Sequence, residues 1–296
     1  MSLRFAYNTN GTAHHRIDDA IRLIADAGYD GVALTLDIHH LDPFSETWVV
    51  EADRIASHLE RLGLGSVIET GARFLLDPTA KHEPTLVTAD ATGRARRIGF
   101  LKRAVDIARV LKSEAVSFWA GVPKPEIDRA AARGWLLDGL AEVTDYAGEK
   151  GVVAALEPEP GMLIETLDDF AALAIPNLRL ALDTGHCLVT GERDPAAAVR
   201  EFADRLGTVA IEDMRRGEHV HLPFGEGDMG VPSVLDALDA IRFEKLVCVE
   251  LSRESHRADV MVPRALDYLR TCRRPGPGLP APDDTPRETM VPGLPA

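Results

Sequence analysis

The sequence predicts a single (β/α)8 barrel. Two observations carry this. Eight short apolar runs alternate with eight stretches of helical period along the 296 residues. The first run is followed by "YNTNG" rather than a GxGxxG turn, which disfavours the rival doubly wound open sheet.

The elements justify themselves in order. "LRFAYN" (3–8) reads as a strand, and "RIDDAIRLIADAG" (16–28) as a helix with Ile17, Ala20, Ile21, Ile24 and Ala25 on one face and a stop at Gly28. "GVALTL" (31–36) pairs with a helix over 50–63 that ends at Gly63. "LGSVIE" (64–69) leads into a long loop, 70–90, and then a helix over 91–112; loops of that length are usually functional. "EAVSFWA" (114–120) precedes a helix over 126–151 stopped by Gly151. "GVVAALE" (151–157) precedes "TLDDFAALA" (166–174), with Thr166 as the start. "LRLALD" (178–183) precedes a helix opened by Asp194-Pro195 and stopped at Gly207. "LGTVAIED" (206–213) and "KLVCVEL" (245–251) are the last two strands, followed by helices over 231–241 and 258–272. Pro263 fits the last helix if that helix begins near Val262, because a first-turn proline is tolerated. The runs are apolar throughout, as parallel strands covered on both faces require. The barrel is expected over 1–273, and the Pro/Gly-rich stretch 274–296 is expected to be disordered.

Composition narrows the partners. A net charge of −14 argues against a nucleic-acid backbone and against an anionic membrane surface. No run approaches the length of a membrane span. Three scattered cysteines suggest neither a disulfide framework nor a CxxC metal site, and no secretory leader is visible, so a reducing cytoplasm is expected. A small-molecule partner is expected, and self-association is left open.

In a barrel the chemistry sits where strands end and βα loops open. Polar residues gather there: Asn8 and Asn10, Glu69 and Arg73, Glu157 and Glu159, Asp183 and His186, Glu212 and Asp213, Glu250 and Arg253. Any one could be an ordinary loop residue. Glu157, Asp183 and Glu250 each close an apolar run, so all three should point into one mouth. Carboxylates that close repel unless protonated or bridged by a cation. One divalent metal is therefore expected, with Mn²⁺, Mg²⁺ or Co²⁺ suiting this donor set better than Zn²⁺. For an accompanying imidazole the candidates are His186, His219 and His221.

"LEPEPG", "LDTGH", "HLPFGEGDMG" and "VCVELSR", in that order, resemble the xylose isomerase-like TIM barrels, specifically the sugar phosphate isomerase/epimerase superfamily, over roughly residues 3–272. The resemblance implies metal ligands Glu157, Asp183 and Glu250, with His186 on the substrate side. At the fourth ligand the sequence departs from the pattern. The usual strand-seven "HxKD" reads "AIED", so Ala210 stands in place of the ligating histidine. His221 is the favoured substitute, and Glu212 the second. The implied activity is isomerisation or epimerisation of a sugar, sugar phosphate or cyclitol through an enediolate, with Glu157 and Glu250 as the acid/base pair. His186, His219, Glu212, Arg215, Glu159 and Arg73 would contact substrate. Arg73, Lys81 and His82 with Arg215 and Arg216 form a possible anion clamp, with solvated surface charge as the plain alternative. Three rivals remain: a zinc phosphoesterase of the apurinic-endonuclease type, a dehydratase using the same enolate, and a barrel that has lost its metal and its catalysis.

Overall fold

The computed structural model describes residues 2–71 and 73–273, so the expected disordered tail, 274–296, lies outside the described residues. Eight parallel strands close into a barrel: β1 (Arg4–Asn8), β2 (Gly31–Thr35), β3 (Gly65–Glu69), β4 (Val116–Trp119), β5 (Ala154–Glu157), β6 (Arg179–Asp183), β7 (Leu206–Ile211) and, closing against β1, β10 (Leu246–Val249). Each lies within a run expected from the sequence. β5 begins three residues later than "GVVAALE" because Gly151, at φ +68°, caps the preceding helix and the chain needs a turn before it can pair.

The flanking helices are α1 (Ile17–Ala27), α2 (Trp48–Leu62), α3 (Ala91–Leu111), α4 (Arg129–Lys150), α5 (Leu167–Ala171), α6 (Thr184–Thr190), α7 (Pro195–Glu201), α8 (Val231–Ala240) and α9 (Ala258–Cys272). Thr166 caps α5 in a reciprocal capping box with Asp169, and Asp194 caps α7 ahead of Pro195. No helix of the described residues is long and apolar enough to cross a membrane.

Four features differ from the sequence expectation. Gly207 is not a helix stop. It lies in β7, where an added Cβ would come 2.8 Å from Arg179 Cβ and 2.9 Å from Ala155 Cβ. The residue keeps neighbouring strands close at the barrel floor. Gly207→Val is accordingly expected to destabilise the protein by about 1–3 kcal/mol, the usual result of overpacking, read as a lowered urea midpoint. Pro263 lies inside α9, which starts at Ala258 rather than near Val262. "TGHCLVT" after β6 is a helix, because Asp183 caps it. Between β7 and α8 the chain forms a hairpin, β8 (Asp213–Arg215) and β9 (Glu218–Leu222), that the single run "LGTVAIED" concealed.

Strand parity sets what the barrel encloses. Successive side chains alternate between the helix layer and the interior. Phe5, Tyr7, Val32, Leu34, Leu156, Leu182, Val209 and Val249 belong to the large core between strands and helices. Ala6, Ala33, Val67, Ala155, Ala181 and Cys248 form a separate small-residue core inside the barrel. Two residues further along each strand, the same parity delivers Asn8, Thr35, Glu69, Glu157, Asp183, Ala210 and Glu250. These residues are the upper inner layer.

Candidate active site

That upper layer floors a cavity of about 570 Å³ at the C-terminal mouth of the barrel, a volume in the range of small-molecule sites. Glu157 and Glu250 reach it from β5 and the end of β10, with Glu159, His186, His219 and His221 beside them. Asp183 lies just below, lining the interior together with Glu157, Ala210 and Glu250.

Asp183 does two things at once. Its Oδ1 accepts from Gly185 N at 2.7 Å and His186 N at 3.2 Å, capping α6. This fixes its Oδ2 toward the site, 3.4 Å from His186 Nε2. His186 Nδ1 lies 3.0 Å from the Pro158 carbonyl, which can only accept, so Nδ1 carries the proton. Nε2 is left facing the cavity, 3.2 Å from His219 Nε2. Burial works against charge on His186, but Asp183 and Glu159 outweigh it and hold the imidazole above its ordinary value. Burial pushes Asp183 up, but the charge of His186, a hydrogen bond from Glu212 and the neighbouring His221 and His219 together outweigh it and hold Asp183 below the usual carboxylate range.

The other acids lie the opposite way. Burial, then the charge of Glu159, holds Glu157 well above the carboxylate range. Burial and Asp183 push Glu250 up to about 7, and burial and Glu250 push Glu69 up to about 7. Glu250 Oε1 accepts from Asn10 Nδ2 at 2.9 Å, and Ser117 Oγ donates to Glu157 Oε2 at 3.3 Å. So many carboxylates crowded into one pocket demand protons or a cation.

The donor set fits a divalent ion. Three groups offer ligand atoms within 4.8 Å of one another: Glu157, Asp183 and His186; Asp183, Glu212 and His221; and Glu159, His186 and His219. Asp183 Oδ2, both Glu212 oxygens and His221 Nδ1 are buried with no hydrogen-bond partner among the described residues. Such orphaned atoms match the needs of a cation. The expected quartet is not one ligand-distance group. His221 is carried on β9, outside the barrel, and meets Asp183 beside Glu212, while Glu250 belongs to none of the three groups. Ala210 is half-open and faces the interior, so no imidazole comes from β7.

Two expected substrate contacts lie away from the cavity. Glu212 is fully buried, packed beneath Gly185 and against Asp183, and does not line the cavity. Arg215 lies exposed on the hairpin, 3.7 Å from Glu218, and does not reach the cavity either. Arg73, Glu159, His186 and His219 do line it. So do Asn10, Thr35, Glu69, Trp119 and Arg253, none of them among the expected site residues, and His82, expected only as part of an anion clamp. For Glu69 the signal was present: it closes an apolar run just as Glu157 does.

Comparison with known proteins follows the same lines. A 2-oxo-tetronate isomerase of Cupriavidus necator is 24% identical over 155 residues, 49% of this chain and 58% of that protein, so the match spans little more than half of that relative. The structure of L-ribulose 3-epimerase superposes with a TM-score of 0.72 at 22% identity, covering 92% of this chain and 96% of that one. An IolI protein solved with a bound zinc atom superposes with a TM-score of 0.72 at 18% identity, covering 91% and 98%. The family model described as xylose isomerase-like TIM barrel matches residues 21–272. A closed eight-stranded barrel, an acid-rich mouth at the strand ends and a family match over most of the sequence lead to one conclusion: the chain belongs to the xylose isomerase-like TIM barrels.

Proposed function

We propose that the protein is a divalent-metal-dependent isomerase or epimerase of a sugar, sugar phosphate or cyclitol, acting at a carbon next to a carbonyl. One observation carries this: Glu157, Asp183 and Glu250, from three separate strands, line one buried interior with unpartnered acid and imidazole atoms beside them. The L-ribulose 3-epimerase and 2-oxo-tetronate isomerase likenesses support the reaction class.

Asp183 would hold the metal, with His221 and Glu212 on one side of it and Glu157 on the cavity side, while Glu250 stands across the cavity outside those groups. When bound, the ion supplies polarisation of the substrate carbonyl and of the enediolate formed by proton loss. Glu157 removes the carbon-bound proton on one face, and Glu250 returns a proton on the other. Their strands are separated by β6 and β7 in the barrel, so their carboxylates approach from different sides. Ser117 orients Glu157, and Asn10 orients Glu250. His186, its Nδ1 held by the Pro158 carbonyl, presents Nε2 to a hydroxyl near the reacting carbons.

The deciding experiment incubates Mn²⁺-loaded protein with a panel of ketoses and cyclitols in deuterium oxide. Deuterium entering the carbon next to the carbonyl without loss of water is the expected result. Loss of water would assign a dehydratase instead. Two or three zinc ions per chain with phosphodiester hydrolysis would assign the phosphoesterase, a reading the charge of −14 opposes for a duplex DNA substrate.

A further inference from the structure

The mouth of the cavity is charged opposite to its floor. Arg73 and Lys81 reach it from the loop after β3, and Arg253 from the loop after β10. In the closed barrel β3 and β10 bracket β1 and β2, while the acids Glu157 and Asp183 sit across the barrel on β5 and β6. In an acidic chain most cations near carboxylates are paired, as Arg257 is with Glu254 and Arg193 with Asp168, Glu192 and Glu201. Among the described residues, Arg73, Lys81 and Arg253 have no ion-pair partner. Three free cations converging on one cavity leave an anion site.

His82 is built into the same wall. It sits at φ +68°, in the left-handed region that a non-glycine residue adopts only when its surroundings impose it. Its ring stands edge-on to Trp119, centroids 5.5 Å apart, and its Nδ1 lies 2.8 Å from the Gly71 carbonyl. A carbonyl accepts only, so Nδ1 holds the proton and Nε2 is a free acceptor.

We propose that the substrate carries an oxyanion group, carboxylate or phosphate, at the end away from the reacting carbons, that Arg73, Lys81 and Arg253 bind it, and that His82 Nε2 accepts from a neighbouring hydroxyl. This rests on the cavity being the substrate site of the proposed isomerase or epimerase. The floor then takes the carbonyl end and the mouth takes the charged end, so one geometry fixes both the direction of binding and the class of substrate.

The test is calorimetric titration of the full chain with three probes of matched length, ribitol, ribonate and ribitol 5-phosphate, with and without Mn²⁺. At least one anion is expected to bind tenfold or more tightly than ribitol, with the gap narrowing as salt rises. The stronger of the two anions distinguishes carboxylate from phosphate. The double variant Arg73→Gln, Arg253→Gln is expected to lose at least tenfold in anion affinity and to move ribitol by less than twofold. If that variant does not fold, Arg73→Lys with Arg253→Lys should retain the anion preference. Equal affinity for all three probes overturns the inference, as does an equal loss for ribitol and the anions in the double variant. Chelation separates this from the metal reading. Anion preference that survives chelation keeps the inference whatever becomes of the metal reading, whereas chelator-sensitive ribitol binding without anion preference keeps the metal reading and overturns the inference.

Discussion

Glu157→Gln is expected to lower turnover by about 100- to 10,000-fold at saturating Mn²⁺, the range lost when one general acid or base is removed. The substitution keeps the shape and the Ser117 hydrogen bond, so folding should be intact and the loss should lie in kcat. Saturating metal matters because Glu157 also offers an oxygen to the ion, within 4.8 Å of Asp183 and His186 ligand atoms. Glu250→Gln should stop interconversion to a similar degree and differ in its isotopic result. Deuterium should still enter the epimer whose proton faces Glu157, because that face retains its base. Retention of turnover within tenfold in both variants would sink the assignment of the pair. A neutral barrel that merely binds sugar would show neither effect.

The second large effect concerns the missing strand-seven histidine. His221→Ala is expected to reduce divalent-metal affinity by at least about 100-fold, beyond the 10- to 100-fold typical of losing a partner outside the ligand set. The expectation follows from a half-buried ring whose Nδ1 is itself buried and has no partner among the described residues, beside two carboxylates with free oxygens. Burial holds this imidazole down to about 4, so it is already neutral and ligand-competent at neutral pH. Ala210→His in the His221→Ala background should restore part of that affinity. Ala210 pairs in register with Asp183 and faces the half-open interior, so an imidazole there would enter beside the same carboxylate. Metal affinity, followed by calorimetry, reads both changes without requiring a substrate. Unchanged affinity in His221→Ala would return the fourth ligand to Glu212 or to His186.

Much of the fold was legible because parallel strands buried on both faces must be apolar, and the helices between them must be amphipathic. The eight runs and their order are local properties. The hairpin was hidden because "LGTVAIED" is one apolar-to-acidic run in sequence, and its bend at Glu212 depends on pairing with residues 218–222. Gly207 misled for a related reason. A glycine after helical period usually ends a helix, and only the packing of Ala155 and Arg179 against it shows a strand.

The site divides in the same way. The sequence by itself determined which residues could face one mouth, since parity along a strand is fixed by the backbone: Glu157, Asp183 and Glu250 follow from that, as Glu69 should have. Tertiary structure decided the rest. It carried His221 to Asp183 on a hairpin, buried Glu212, kept Arg215 outside, and brought Arg73 and Arg253 to one opening from loops about 180 residues apart in sequence. The physical reason is range. A strand's alternation is dictated within two residues, whereas the meeting of side chains from different loops depends on how the whole barrel closes.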